Sequence, residues 1–267
     1  NGTRWVYKDY LNGFPGSHCN TNQFPGAVSQ SGDHCEVADS IKTGTLQAPV
    51  TPQHGGMYPA IDLTAIPLGS EGSGVLKIES TSDFGASGSD IGAFRIPCTF
   101  AKMAFNDPIV YPGQPTRSHL HTFFGNVDVS ANSTASSLAS TGNSTCAGGI
   151  ANRSSYWVPS IIDIATGKPI APSGSLWYYK TAYGGVRPAD VKAMPVGLRM
   201  IAGSMNATAS QQDIGIHWEC HNTGASRGAT IPTDCQVGDT VSMSIGFPQC
   251  WDGVNLDSAN HQSHMAF

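Results

Sequence analysis

Charged side chains are scarce in this sequence. Only 12% of its 267 residues are Asp, Glu, Lys or Arg, against a usual share of about 25%. The 14 basic residues form no stripe or tail, and the formal net charge is -5. Proteins that bind nucleic acid neutralise phosphates with a basic surface. The composition therefore argues against nucleic acid as a partner.

Long apolar runs and helical periodicity are also lacking. No apolar stretch approaches the roughly 18 residues that a membrane-spanning helix needs, so we expect no membrane partner. No segment of helical length repeats its apolar residues at the period of about 3.6. The sequence is instead rich in turn formers, with 31 glycines and 17 prolines. These features predict an all-β protein, a β-sandwich or jelly-roll-like single domain with long loops and few short helices.

The single domain is expected to span residues 1–267. Residues 1–90 would be a loop-rich N-terminal part packed on a core at 91–267. Runs of β-forming residues predict strands in the core, at 91–98, 155–163, 176–180, 197–203, 214–220 and 240–247. Residues 128–155 are rich in Ser, Thr, Asn and Gly, which predicts a long loop with a short helix near 135–139.

Seven cysteines are dispersed along the chain, and none forms a C-x-x-C pair. A zinc knuckle or a thioredoxin-like site therefore has no basis. Dispersed cysteines in a chain of low charge favour disulfides in an oxidising compartment, and a start at Asn1 suits a processed chain. We expect a secreted, monomeric protein. The predicted disulfides are Cys19–Cys35, Cys220–Cys235 and Cys98–Cys250.

The densest group of chemically useful side chains lies at 118–126, where His119 and His121 are two residues apart. Residues i and i+2 of a strand point to the same face, so both imidazoles should lie side by side if this segment is a strand. Asp107 begins an Asp-Pro turn just before it. That carboxylate either caps the turn or takes part in substrate binding.

Two further polar clusters stand out. His217, Glu219 and His221 alternate with Trp218 and Cys220, so they should share one face of a strand. The other cluster lies near the C-terminus and contains two carboxylates and two imidazoles, namely Asp252, Asp257, His261 and His264.

Histidine clusters of this kind suit two kinds of chemistry. Three ligands could hold a divalent metal, with His119 and His121 joined by His264 or by Asp252. Alternatively, a His or Asp works as a general acid or base in a cleft. The sequence has only four glutamates, so a pair of catalytic carboxylates would depend on aspartates. A G-x-S-x-G sequence occurs at 224–228, but the chain lacks the alternation of strands and helices that carries a nucleophile elbow, which disfavours nucleophilic hydrolases. No G-x-G-x-x-G or Walker motif is present, which disfavours nucleotide cofactors.

Two long motifs resemble the secreted DUF1996 family of bacteria and fungi. One is DPIVYPG at 107–113 with SHLHTFFGN at 118–126, and the other is FPQCWDG at 247–253 with LDS at 256–258 and HQSH at 261–264. The resemblance extends over about 94–267. It carries over a set of motif residues, namely His119, His121, Gly125, Asn126, Cys250, Trp251, Asp252, Gly253, Asp257, His261 and His264. The resemblance implies secretion and a polysaccharide-related role, and it does not include His217 or His221.

These observations lead to one expected function and two alternatives. We expect an enzyme that cleaves a polysaccharide by hydrolysis or lyase chemistry. The expected catalytic residues are His119, His121, Asp252, Asp257, His261 and His264. The expected substrate contacts are Asp107, Asn126, Trp157, Trp177 and Trp251. The alternatives are a non-catalytic carbohydrate-binding protein with structural histidines, and a metal-dependent phosphoesterase or nuclease. The catalytic hypothesis requires 118–126 and 252–264 to meet in space.

Overall fold

The computed structural model describes residues 61–77, 93–180, 190–204, 207, 211, 216–221 and 227–267, with only the backbone for Ala93 and Phe94. The chain divides into two compact units. The central unit comprises the described residues of His34–Phe84 and Arg95–Trp177, and the C-terminal unit comprises those of Gly85–Phe94 and Tyr178–Phe267. Most of the predicted N-terminal part, including Cys19–Cys35, lies outside the described residues.

The all-β prediction is confirmed. The described strands are β1 (Ala93–Cys98), β2 (Phe100–Ala104), β3 (His121–Gly125), β4 (Ser155–Pro159), β5 (Ser175–Lys180), β6 (His217–His221), β7 (Arg227–Gly228), β8 (Thr240–Ser244), β9 (Cys250–Trp251) and β10 (Met265–Ala266). One short α-helix, α1 (Ala135–Ser140), lies close to its predicted place. A short 3-10 turn covers Leu63–Ala65. No helix among the described residues is long and apolar enough to cross a membrane.

The central unit is built on the antiparallel sheet β2-β3-β4. Strand β3 lies in the middle, and all five of its residues are buried. Its side chains alternate between two faces, and each face is covered by its own apolar cluster. Phe124 belongs to the cluster that contains Phe100, Met103 and Leu120. Phe123 belongs to the opposite cluster, so β3 is apolar on both sides.

A disulfide between Cys98 and Cys146 fastens the long loop after β3 to the end of β1. The predicted pair Cys98–Cys250 is therefore wrong. The two cysteines of the observed pair lie opposite each other in an isolated antiparallel bridge, a proximity that the linear spacing does not reveal. Cys250 is itself disulfide-bonded. The predicted pair Cys220–Cys235 is confirmed.

The C-terminal unit contains the sheet β7-β6-β8 and the small pair β9-β10. The predicted strand at 197–203 is wrong, because this segment begins in a turn, ends in a bend and forms no strand between them. Glycines with positive φ stand at both of its ends, Gly197 and Gly203. Between them the Arg199 carbonyl accepts a hydrogen bond from the side chain of His264 rather than from a neighbouring strand.

Candidate functional site

The predicted site residues fall into two groups. His119, His121, Asp107 and Asn126 belong to the central unit, and Asp252, Asp257, His261 and His264 belong to the C-terminal unit. The expectation that 118–126 and 252–264 meet in space stays a prediction. Each group has a defined geometry of its own.

The two histidines of the central unit lie side by side, as the i, i+2 spacing predicts. Their ring centroids are 4.3 Å apart. The strand is shorter than expected and begins at His121, so His119 lies just before it. The ring of Phe123 meets that of His121 edge-on at 6.0 Å. His121 is therefore part of strand β3, whereas His119 lies in the segment that precedes this strand.

His121 is held as a neutral imidazole. It is 4% exposed, and its Nδ1–H donates to the carbonyl of Asn106 over 2.8 Å. Burial lowers the pKa of His121, although the Asn106 hydrogen bond and the charge of Asp107 counteract part of this effect. With the hydrogen on Nδ1, Nε2 carries the lone pair, which is the tautomer of a proton acceptor or a metal ligand.

Asp107 caps its turn, in agreement with the structural alternative. One carboxylate oxygen, Oδ1, accepts hydrogen bonds from the backbone N–H groups of Ile109 and Val110 at 2.9 and 2.8 Å. The side chain is buried. Its proposed contact with substrate stays a prediction that this arrangement does not favour.

Asn126 is fully buried and acts as a structural cross-link. Its Nδ2 donates to the carbonyls of Leu138 and Thr141, and its Oδ1 accepts from the N–H of Asp128. These bonds fix the end of α1 against the end of β3. A Cβ at Gly142 would collide with the Asn126 amide. Substrate binding by Asn126 stays a prediction. Both N–H groups of its amide are used in these bonds, and only the second lone pair of Oδ1 could accept a hydrogen bond from a substrate.

The tryptophans predicted to stack on sugars have packing partners in the protein. Trp157 packs on Phe123 with ring centroids 5.7 Å apart. Trp177 stacks on Tyr156 at 3.9 Å and donates its indole N–H to Ser175. Both are half-buried against the apolar clusters. Their role in substrate binding stays a prediction.

In the C-terminal unit, Asp257 and His261 form a hydrogen-bonded pair. The distance between His261 Nδ1 and Asp257 Oδ1 is 2.8 Å. Arg199 Nη1 donates to the other carboxylate oxygen, Oδ2, over 3.2 Å. Burial raises the pKa of Asp257, but the hydrogen bonds and positive charges around it outweigh burial and lower that pKa. The carboxylate is therefore ionised and accepts the His261 Nδ1–H.

His264 is a buried structural histidine. It is 1% exposed, and its Nε2–H donates to the Arg199 carbonyl over 2.6 Å. Its Nδ1 lies 2.9 Å from the Ser258 hydroxyl. Both ring nitrogens are thus engaged within the protein. The predicted catalytic or metal-binding role of His264 stays a prediction, which this geometry does not favour.

Asp252 is likewise engaged in a turn. Its Oδ1 accepts from the N–H groups of Val254 and Asn255, and its Oδ2 accepts from the Asn255 amide. Burial raises the pKa of Asp252, yet these hydrogen bonds and the charge of His264 lower it overall. The neighbouring Trp251 is half-buried, and its indole N–H donates to the Asn255 carbonyl.

A metal site does not emerge from the histidine clusters. In the described ranges, no group of three or more His, Cys, Asp or Glu side chains is arranged to hold a metal ion. On β6, His217 and His221 flank the Glu219 carboxylate at 4.0 and 3.7 Å, so this cluster shares a face as predicted. The set of His119, His121 and His264 gains no support and stays a prediction.

Sequence reasoning missed two charged residues. The apolar pattern at 197–203 places Arg199 in a strand, although a lone charge within an otherwise apolar run is a signal of a functional residue. Lys102 lies on β2, directly opposite Phe123 on the face that also carries His121. Its Nζ donates to the Val127 carbonyl over 2.7 Å. Burial lowers the pKa of Lys102 to about 8, despite the nearby charge of Asp128.

Fold and site together define a disulfide-bonded all-β protein with a hydrogen-bonded Asp–His–Arg cluster near its C-terminus. Residues 107–267, more than half of the chain, match the family described as domain of unknown function, DUF1996. The chain belongs to this family, as the motif resemblance predicts. No curated protein and no solved structure matches it.

Proposed function

We propose that the protein is a secreted enzyme that cleaves a polysaccharide, with His261 as the general acid–base group and Asp257 as the residue that orients it. The observation that carries this proposal is the 2.8 Å hydrogen bond between His261 Nδ1 and Asp257 Oδ1. This bond places the lone pair of the neutral ring on Nε2. No described residue hydrogen-bonds to Nε2, and the His261 side chain is 25% exposed. A substrate can therefore reach that nitrogen.

An oriented imidazole is the commonest group for proton transfer in enzymes. The carboxylate behind it fixes the tautomer and stabilises the imidazolium that forms when Nε2 takes a proton. Because Asp257 is ionised and held by Arg199, it can perform both tasks. The proposed centre therefore needs only residues of the C-terminal unit.

Glycoside hydrolysis by two carboxylates is less compatible with this site. That mechanism requires one carboxylic acid that stays protonated because its pKa is raised. The pKa values of Asp252 and Asp257 are both lowered. A histidine is thus the better candidate for the proton-transfer group.

Two further features of the C-terminal unit support secretion of the protein and a contact with sugar. Disulfides such as Cys220–Cys235 persist in oxidising compartments, which supports secretion. Trp251 lies a few residues before Asp257, and its half-buried indole is anchored by the bond to Asn255. An aromatic face held in this way can stack on a sugar ring.

The test is a screen for new reducing ends across neutral and acidic polysaccharides. The purified protein is compared with His261→Ala and with the matched control His221→Ala, which changes an exposed histidine of the same unit. We expect His261→Ala to lower the rate about 100- to 10,000-fold and His221→Ala to leave it unchanged. The proposal fails if no polysaccharide is cleaved, or if folded His261→Ala keeps the full rate.

A second candidate is a carbohydrate-binding protein without catalysis. The saturated hydrogen bonding of His264 and Asp252 favours it, because these motif residues then serve the fold rather than a reaction. Co-sedimentation with insoluble polysaccharides separates the two functions. Retention on a polysaccharide without any release of sugar would support this second candidate.

A further inference from the structure

Arg199 is held in place by its backbone beside the Asp257–His261 pair. Its N–H donates to the Leu256 carbonyl over 3.0 Å, and its carbonyl accepts from His264 Nε2. The buried His264 therefore positions Arg199. The Arg199 side chain remains 35% exposed, so solvent or a ligand can reach the guanidinium.

The guanidinium of Arg199 is only partly used. Arginine has five N–H donors in a planar fork. Among the described residues, the only hydrogen bond from this side chain runs from Nη1 to Asp257 Oδ2. The Nε–H group and both Nη2–H groups thus remain available to a ligand. Such a fork matches the two oxygens of a carboxylate in a bidentate pair.

We propose that Arg199 binds the carboxylate of a uronic acid residue, which makes the substrate an acidic polysaccharide. This inference rests on the proposed function for the cleavage step, and the recognition step can be tested alone. A neutral sugar has no group that needs a fixed cation. With a net charge of -5, the protein does not attract a polyanion at long range, so recognition depends on this local cation.

The same arrangement leads to cleavage by elimination. The Arg199 guanidinium neutralises the substrate carboxylate, which acidifies the neighbouring C5–H bond. His261 Nε2 takes the C5 proton, the C–H electron pair forms the C4–C5 double bond, and the C4–O4 bond breaks. The leaving O4 takes up a proton from the imidazolium or from water. The products are a new chain end and an unsaturated uronate, and no oxidant or cofactor is needed.

The C-terminal unit also contains an open cavity of about 350 Å³. Two of its lining residues are close in the sequence to Arg199 and His261. Its lining mixes apolar and amide side chains and includes Ile201, Gln211, Pro248, Gln262, Met265 and Phe267. Ile201 is two residues from Arg199, and Gln262 follows His261. Ligand sites are commonly clefts of about 300–1,000 Å³ with this kind of lining. We assign the cavity to a neighbouring sugar residue.

Binding of uronate oligosaccharides tests the recognition step by calorimetry. The full chain is compared with Arg199→Ala, with Arg199→Lys and with the control Arg117→Ala, an exposed arginine of the central unit. A lost charge-assisted pair should weaken binding about 10- to 100-fold in Arg199→Ala, with a smaller loss in Arg199→Lys and none in the control. Carboxyl-reduced oligosaccharides separate recognition from structural damage, because their binding should not depend on Arg199.

Cleavage is followed in parallel by the ultraviolet absorbance of the unsaturated product. Selective loss of uronate binding in Arg199→Ala supports the inference even if no chain is cut, in which case only the proposed function falls. If neutral polysaccharides are cleaved in a His261-dependent manner and uronates are neither bound nor cleaved, the proposed function stands and this inference is overturned. Equal losses for native and carboxyl-reduced oligosaccharides would also overturn it.

Discussion

His261 is hydrogen-bonded to Asp257, four residues earlier, while its own backbone is in the left-handed region with φ of 58°. Among the described non-glycine residues only Thr116 shares a positive φ. Such a conformation costs free energy and persists where surrounding contacts enforce it, often at functional sites. Here Ser258 accepts the His261 N–H over 2.8 Å, and the Asn260 side chain holds the next two N–H groups. The turn therefore presents this imidazole at some cost to stability.

The Asn126 cross-link predicts a large effect on stability. Asn126→Ala removes three partly buried hydrogen bonds and leaves their partners without this side chain, so the free energy of unfolding should fall by about 3 kcal/mol. Gly142→Ala should also destabilise, because its Cβ would collide with Asn126 and its φ is 83°. Urea denaturation measures both. The exposed Asn132→Ala is the control, with an expected change within about 0.5 kcal/mol. A stable Asn126→Ala variant with weakened sugar binding would instead support a substrate contact.

His121 predicts a stability that depends on pH. Its pKa is lowered in the folded state from 6.5, so the unfolded chain binds the proton more readily. The stabilisation is present above about pH 6.5 and is lost as the pH falls toward the folded-state pKa. The variant His121→Leu should lack this loss, so the difference in unfolding free energy between wild type and variant should change as the pH falls below about 6.5. Unfolding free energies at several pH values provide the measurement, with the exposed His221→Ala as control. A pH-independent difference for His121→Leu would show that folding does not change the pKa of His121, which contradicts the account.

Lys102 predicts a change in the same direction at alkaline pH. Its pKa is about 8 in the fold and 10.5 as the reference value. Between these values the unfolded chain holds more protons, so the free energy of unfolding should rise with pH across this range. Lys102→Met removes this rise, whereas the exposed Lys168→Met retains it. Denaturant titrations near the two ends of this pH range measure the rise in the free energy of unfolding for each variant. Parallel curves for wild type and Lys102→Met would contradict the burial of the amine.

The sequence predicts much of the fold, because strand patterns and turn residues are local signals. Strand β4 and helix α1 lie close to their predicted positions. The segment at 197–203 has the apolar pattern of a strand, but its carbonyl partner is the distant side chain of His264. The disulfide of Cys98 depends in the same way on a loop that folds back to bring Cys146 beside it. Local patterns carry no information about such non-local partners.

The candidate site shows the same limit. The motif residues Asp257 and His261 were identified from the sequence, and they form a pair. Their neighbour Arg199 was missed, because it lies 58 residues before Asp257. Conversely, Asn126 and His264 are motif residues with reactive or polar side chains, but both are buried and their polar atoms are used in hydrogen bonds within the protein. Burial and hydrogen-bond saturation separate the two kinds of motif residue, and neither can be read from residue type.

The most direct test of the central claim is a double-mutant cycle of Asp257→Asn and His261→Ala on kcat/KM for polysaccharide cleavage. Catalytic residues that work as a unit show strongly non-additive losses. We therefore predict that the double variant is about as slow as His261→Ala alone, while each folded single variant loses at least about 100-fold. Losses that multiply in the double variant, or a fully active His261→Ala, would contradict the proposed dyad.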